Sequence, residues 1–266
     1  MFLAAALLAV LVWAATASAK VTTQTSSGGG VSATLTYTGS PPTVKNMHLK
    51  IVRDGQAVYD QPVRSRFCRK LCAPAFSGGA VKVLDIESDT QPDVVLQLFT
   101  GGANCCFVDQ VFSFGPALLT YIKSERNFST NGARIRKIGG RWRFQSSDPA
   151  FDCTFTDCAD SGAPIQIWKF GGRRRFTNVT KQYPGLISKD ATRWMRLFKH
   201  HISNGVGLIA AWAADEELIG HRELVRSTLA AQAAKGALRA GTSGEPEGKK
   251  FIAALNRLLR KHGYLR

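Results

Sequence analysis

From residue 20 to about residue 186 apolar residues alternate with polar ones, and beyond it they recur every three to four positions. A period of two belongs to strands with one buried face, and a period near 3.6 belongs to amphipathic helices. The stretch Val31-Ser32-Ala33-Thr34-Leu35-Thr36-Tyr37 alternates, as does Met47 to Val52, and Gln56 to Tyr59 follows the hairpin signal Asp54-Gly55. Ala80 to Ile86 and Val94 to Phe99 read as strands around a polar loop, and Val108 to Phe114 and Leu118 to Ile122 as a pair broken at Gly115-Pro116. Arg134 to Ile138 and Trp142 to Gln145 flank Gly139-Gly140; Ile165 to Phe170 and Arg175 to Thr180 flank Gly171-Gly172. Short strands with Gly-rich turns at even spacing predict an antiparallel β region.

Beyond Pro184-Gly185 the apolar stripes are helical. Trp194, Leu197, Phe198 and Ile202 form one, and Leu208, Ile209, Trp212 and Leu218 a second. Leu224, Val225, Thr228 and Leu229 begin a third, and a last helix is expected to start at Glu245-Pro246 and stop at Gly263. The expected class is therefore α+β: an N-terminal antiparallel all-β region, a blade-like meander or sandwich over 20–186, then a small helical bundle over 187–266.

Residues 1–19 are uncharged, apolar almost throughout, and end in Ala17-Ser18-Ala19. That is the pattern of a signal peptide cleaved after Ala19, and it predicts a secreted or extracytoplasmic protein. The segment lacks the Lys or Arg that signals carry near their start, so an N-terminal membrane anchor is the alternative. No second apolar run is long enough to span a bilayer. Six cysteines suit an oxidising compartment: Cys68, Cys72, Cys105, Cys106, Cys153 and Cys158. Their spacing matches no usual zinc pattern. Cys153 and Cys158 bracket a short turn that a hairpin staple fits. Adjacent cysteines bond poorly, so Cys105 or Cys106 is expected to meet the Cys68/Cys72 loop.

The segment with the most chemistry is Asp85-Ile86-Glu87-Ser88-Asp89-Thr90-Gln91-Pro92-Asp93. Oxygen side chains fall at loop positions 1, 3, 5 and 9, and Gln91 at position 7 offers a backbone carbonyl; calcium takes six to eight such hard oxygens. Leu96 stands at position 12, where an EF-hand needs Glu. The run VKVLDIESDTQPDVVLQLFTGGANCC, within 80–115, resembles the blade motif of FG-GAP/VCBS-type proteins, in which a D-x-D-x-D-G-x-x-D/E loop binds calcium between two strands. The resemblance implies a structural calcium site at Asp85, Glu87, Asp89 and Asp93. The chain departs from that motif at Glu87, longer than Asp, and at Thr90, where the motif has Gly. More loosely, the whole chain resembles secreted bacterial proteins with this loop, a GGAxCC segment and a helical C-terminus. A second acidic run, Asp148, Asp152, Asp157 and Asp160, matches no loop template and reads as polar turns.

Lys and Arg number 35 against 19 Asp and Glu, a formal net charge of +16. The basic residues gather at Arg64, Arg66, Arg69 and Lys70; at Arg134, Arg136, Lys137, Arg141 and Arg143; and at Arg173, Arg174 and Arg175. Such a field favours anionic partners, which outside a cell are wall polymers or other polyanions. Arg173, Arg174 and Arg175 are the polyanion-binding candidates, and there is no dedicated nucleic-acid motif. The sequence contains neither G-x-S-x-G nor H-E-x-x-H, and His200 and His201 are adjacent rather than one helical turn apart. The expectation leans away from an enzyme. The alternative is an exported hydrolase with its site between sheet and helices.

Overall fold

A computed structural model describes residues 20–68, 72–75, 79–102, 105–128, 130, 132–200, 205–240 and 244–265. The expected signal segment 1–19 lies outside the described residues, as do Arg69 and Lys70.

The alternating half folds as three successive antiparallel sheets. The first is a meander of β1 (Val21–Gly28), β2 (Val31–Ser40), β3 (Thr43–Arg53) and β4 (Gln56–Pro62). The expected turn closes β3 onto β4, with Asp54 at φ +49° and Gly55 at φ +82°, the left-handed pair that a two-residue hairpin needs. β1 escaped the sequence reading because it has no apolar alternation. Polar contacts hold it instead: Gln24 donates to the Tyr37 hydroxyl at 3.1 Å and accepts from the Ala80 N–H at 3.0 Å.

The second sheet orders β5 (Ala73–Pro74), β7 (Asp93–Gly102), β8 (Cys105–Gly115) and β9 (Thr120–Phe128), with β6 (Val81–Leu84) also paired to β7. Leu118 and Leu119 were expected in a strand. They instead sit in the β8–β9 turn, which Leu118 N–H closes onto the Gly115 carbonyl at 2.9 Å. The third sheet is a meander of β10 (Arg134–Ile138), β11 (Arg141–Ser147), β12 (Ile165–Gly171) and β13 (Arg175–Asn178). Four helices follow: α1 (Pro184–His200), α2 (Val206–Leu218), α3 (Arg222–Ala234) and α4 (Gly248–Lys261). The last starts later than expected, because Glu247 is extended (φ −122°, ψ 161°), with its side chain turned to the Ala240 N–H rather than to the helix.

These elements stack in four layers. Leu35, Leu49 and Ile51 of the first sheet pack with Leu96, Leu98 and Phe112 of the second. Val95 and Val111, on the opposite face of the second sheet, pack with Phe144 and Phe170 of the third. Ile165 and Ile167 of the third sheet then meet Ile187 of α1. α2 was expected to bury one stripe but is buried from Val206 to Asp215, so it forms the centre of the helical layer. Gly207 makes that possible: a Cβ there would lie 2.8 Å from Thr156 Cγ2, so the 152–163 loop rests directly on the helix. No helix among the described residues is long and apolar enough to cross a membrane.

Two disulfides are seen, Cys68–Cys72 and Cys153–Cys158. The second is the expected turn staple. The first overturns the expected link from Cys68 or Cys72 to Cys105 or Cys106. Cys68 and Cys72 have Cα atoms 5.6 Å apart, within bridging range, and satisfy each other. Cys106 is also disulfide-bonded, with a partner outside the described side chains. Both described bridges close short loops, so each removes little chain entropy. Replacing Cys153 and Cys158 together by Ser should lower the unfolding free energy by about 2 kcal/mol, near the low end for a native disulfide. Urea unfolding under oxidising conditions checks this; a loss several times larger would mean that the bridge also holds the loop against α2.

The second sheet carries a polar pair inside its buried face. Gln97 Nε2 donates to Asp109 Oδ1 at 3.1 Å and to the Ala133 carbonyl at 3.0 Å. Asp109 is fully buried, and burial pushes its carboxyl up to about 7, against the pull of the Gln97 hydrogen bond and Lys82. A carboxyl raised in the folded state stabilises the fold below its unfolded value near 4, and that contribution is lost as pH rises to about 7. Asp109→Asn mimics the protonated acid. It should reduce the loss of stability between pH 5 and pH 8 by roughly 2–4 kcal/mol relative to the parent. Parallel pH dependences in denaturant titrations would show that Asp109 does not ionise across that range.

Candidate anion cleft and acidic loop

β9 is an edge strand of the second sheet, and its two faces do different work. Tyr121, Lys123 and Glu125 point toward the first sheet, and Ile122, Ser124 and Arg126 toward the third. Lys123 Nζ donates to the Arg64 carbonyl at 2.7 Å, and Glu125 lies 3.5 Å from the Arg66 guanidinium. On the other face Ser124 Oγ donates to the Arg174 carbonyl at 2.9 Å. The result is an open cleft of about 470 Å³ lined by Arg66, Lys123, Arg126, Arg174 and Arg175, with Glu125 as its acid. Burial alone pushes the Glu125 carboxyl up, but hydrogen bonds from Gln110, the Arg66 N–H and Ser65, with Lys123 nearby, hold it below the ordinary range.

Arg126 is the unusual member. Its guanidinium carbon stacks 3.2 Å from the Trp168 ring centroid. Its Nε is buried without a hydrogen-bond partner, and no carboxylate forms an ion pair with it among the described residues. Burial lowers its proton affinity to about 10, and the distant charge of Asp148 only partly opposes this. A half-buried guanidinium without an acid is expensive unless something anionic meets it.

The structure thus brings one member of the first basic cluster, Arg66, together with two of the three expected arginines. Arg174 and Arg175 line the cleft, while Arg173 stands exposed at the apex of the β12–β13 turn. That turn was expected to use Gly171-Gly172. Both glycines have positive φ (+140° and +51°), and Arg173 (φ +67°) and Arg174 (φ +57°) continue the left-handed run. Left-handed backbone costs a non-glycine residue stability, so the turn holds its arginines at an energetic penalty. The cleft's Lys123 and Arg126 escaped the sequence reading, because Lys123-Ser-Glu-Arg126 looks like a solvated charge run. Their alternation continuing that of Tyr121 and Ile122 was the available signal.

The second basic cluster divides. Arg134 and Arg136 line another open cleft, about 620 Å³, with Lys189, Asp190 and Arg193 of α1. Arg143 is buried, with its Nε on the Tyr183 hydroxyl at 2.9 Å.

The acidic loop joins β6 to β7 and folds on its own amides. Asp85 accepts from the Asp89 and Thr90 N–H groups at 3.0 and 3.1 Å. Asp89 accepts from the Gln91 N–H at 2.9 Å, and Asp93 from the Ile86 N–H at 3.0 Å. Thr90, where the FG-GAP-type motif has Gly, is left-handed at φ +69°, and Ser88 at φ +60°. The Gln91 side chain leaves the loop to take a hydrogen bond from Arg53 at 2.6 Å. Glu87 leaves it too, reaching the β12–β13 turn, where a Cβ on Gly171 would lie 3.1 Å from its Oε1. The acids nevertheless feel one another. Burial and then Glu87 push the Asp93 carboxyl up to about 7, and Glu87 is raised by burial and by Asp89, with Arg174 opposing. No group of three or more metal-ligating side chains converges among the described residues. The donors are hard oxygens that repel one another, but Asp85, Asp89 and Asp93 are engaged by loop amides while Glu87 and Gln91 turn away, so no cation ligand set is assembled among the described residues.

The seam between the third sheet and the helices, the alternative hydrolase position, holds a cavity of about 310 Å³ lined in part by Asp148, Gln166, Thr180, His262 and Tyr264. Tyr264 donates to Asp148 Oδ2 at 2.7 Å. The Thr180 hydroxyl is committed to Asn178 Oδ1 and the Ile167 N–H. Nearby, Asp215 of α2 is fully buried, and burial followed by Asp190 drives its carboxyl well above the ordinary range. Asp148 and Asp157 of the second acidic run each accept from a turn N–H, those of Ala150 and Asp160. Compared with known proteins, the chain matches no family model, no curated protein and no solved structure.

Proposed function

We propose that this is an exported, disulfide-stapled binding protein whose ligand is an anionic extracellular partner, such as an acidic wall polymer, held in the cleft along β9. The observation that carries the reading is the convergence of Arg66, Lys123, Arg126, Arg174 and Arg175 on one cleft, with Arg126 half-buried and lacking an acid. The Cys68–Cys72 and Cys153–Cys158 bridges support export, since such bonds persist in oxidising compartments. Residues 1–19 act in this reading as the address.

Binding to a soluble polyanion such as heparin should weaken steeply with salt, because each phosphate- or sulfate-type contact releases counterions. Arg126→Gln should lower affinity most, since it removes the half-buried cleft cation that stacks on Trp168 and has no carboxylate ion pair among the described residues. Arg174→Gln with Arg175→Gln should reduce the salt slope by roughly one to two. Circular dichroism melting should be little changed for the double variant. Salt-independent retention, or equal binding by all the variants, would remove the cleft from the interaction.

A second reading, calcium held structurally by Asp85, Glu87, Asp89 and Asp93 as the FG-GAP/VCBS resemblance implies, has in its support the hard-oxygen side chains gathered on one short loop, with Asp85 and Asp89 both folded onto its amides. Calcium should then raise the melting temperature of chelator-stripped protein, by linkage worth about 2.7 kcal/mol at a hundredfold excess over Kd. Asp85→Asn should abolish most of that shift. A melting curve unmoved by millimolar calcium would leave residues 85–93 as a polar turn.

A further inference from the structure

We propose that the β8–β9 turn, Pro116-Ala117-Leu118-Leu119, inserts into an anionic lipid bilayer while the neighbouring arginines bind its headgroups. The inference rests on the anion-binding reading of the cleft and names a lipid surface as the partner.

Four consecutive apolar residues are exposed at this turn, with Leu118 at 66% and Leu119 at 72%. The other large exposed apolar side chains among the described residues, Val21 and Leu224, are isolated from each other in sequence. Single exposed leucines are ordinary, but a contiguous apolar tip is a mark of interaction. The turn also keeps Leu119 left-handed, at φ +50°, where Gly or Asn is the low-energy choice. The chain therefore accepts both backbone strain and exposed apolar surface at one spot, with no return from its own core.

Charge complementarity identifies the partner. Gly115 sits at the base of the turn, and a Cβ placed there would lie 3.4 Å from Arg174 Nη2 and 2.7 Å from Ile122 Cδ1. The guanidinium of Arg174 thus reaches from the cleft to the foot of the apolar tip. Arg173 is exposed on the same β12–β13 turn, and Arg175 and Lys123 line the adjoining cleft. An apolar point with Arg174 at its foot and Arg173 and Arg175 beside it, outnumbering the nearby acids Glu87 and Glu125, on a chain of net charge +16, matches the interfacial region of an anionic membrane. There the leucines leave water and the arginines meet headgroups. A soluble polyanion uses only the arginines, and a protein partner would need a shaped apolar surface rather than a protruding point.

The test is vesicle flotation with the chain from Lys20 onward, which contains every described element and lacks the apolar segment 1–19. Phosphatidylcholine vesicles with and without phosphatidylglycerol serve as probes, and heparin as the soluble control. The expected result is binding only to the anionic vesicles. Leu118→Ser with Leu119→Ser should weaken it about tenfold or more while leaving heparin affinity and melting temperature unchanged. Leu119→Trp should show a blue-shifted emission on addition of the same vesicles. Vesicle binding that survives the double serine change, or a parent chain that binds heparin but not vesicles, overturns the membrane inference and leaves the anion cleft standing. A parent chain that binds neither removes both.

Discussion

The burial of both faces of the second sheet sets the rest of the architecture. In β7, Val94, Val95, Leu96 and Leu98 are all fully buried, although neighbours along a strand point to opposite sides. A sheet with two apolar faces must be covered twice. The first sheet supplies one cover through Leu35, Leu49 and Ile51, and the third supplies the other through Phe144 and Phe170. The third sheet then has its own outer face to close, which Ile165 and Ile167 do against Ile187 of α1. The helical layer follows from that requirement, and α2 ends up buried on all sides because the other helices and the 152–163 loop wrap it.

The same sandwiching confines polar groups that cannot reach water. Gln97 and Asp109 meet across β7 and β8 because the register pairs them directly, and each satisfies part of what burial takes from the other. Edge strands escape this constraint. β9 has a neighbour on one side only, and it carries Lys123, Glu125 and Arg126 opposite Phe112, Gln110 and Asp109 of β8. The basic cleft lies at this edge, where long cationic side chains reach solvent, and unpaired strand edges are commonly defended by charge.

Most of the architecture was legible because it depends on period and turn chemistry. Asp54-Gly55 and Gly139-Gly140 supply the left-handed residues at their hairpins, and the shift to helical spacing coincides with Pro184 at the start of α1. What escaped was decided by partners distant in sequence. β1 is a strand because Gln24 finds Tyr37 and Ala80. The Cys68–Cys72 closure depends on a local backbone path that spacing does not encode. The cleft was half visible: the arginine run at 173–175 stood out, but Lys123 and Arg126 acquire meaning only once β9 is known to be an edge. Likewise the acidic spacing of 85–93 stood out, yet spacing could not show that Glu87 and Gln91 turn away from the loop.

That departure of Glu87 ties the two charged regions together. Its carboxylate lies against the β12–β13 turn, where burial and then Asp89 raise its proton affinity, Arg174 lowers it and Asp85 adds a smaller rise. Arg174 therefore divides its field between an acid of the 85–93 loop and the open cleft along β9. Any change in the charge of the loop alters what Arg174 presents to an anion, and an anion in the cleft alters in turn how strongly Arg174 offsets the repulsion among Glu87, Asp89 and Asp93. Thermodynamic reciprocity makes those two effects equal in size. The left-handed backbone of Arg173 and Arg174 fits this arrangement, since it directs a side chain from a tight turn toward both the Gly115 foot of the neighbouring hairpin and the acidic loop. Arg174 thus stands between the loop, the cleft and the apolar tip, and its left-handed backbone is the local cost of placing it there.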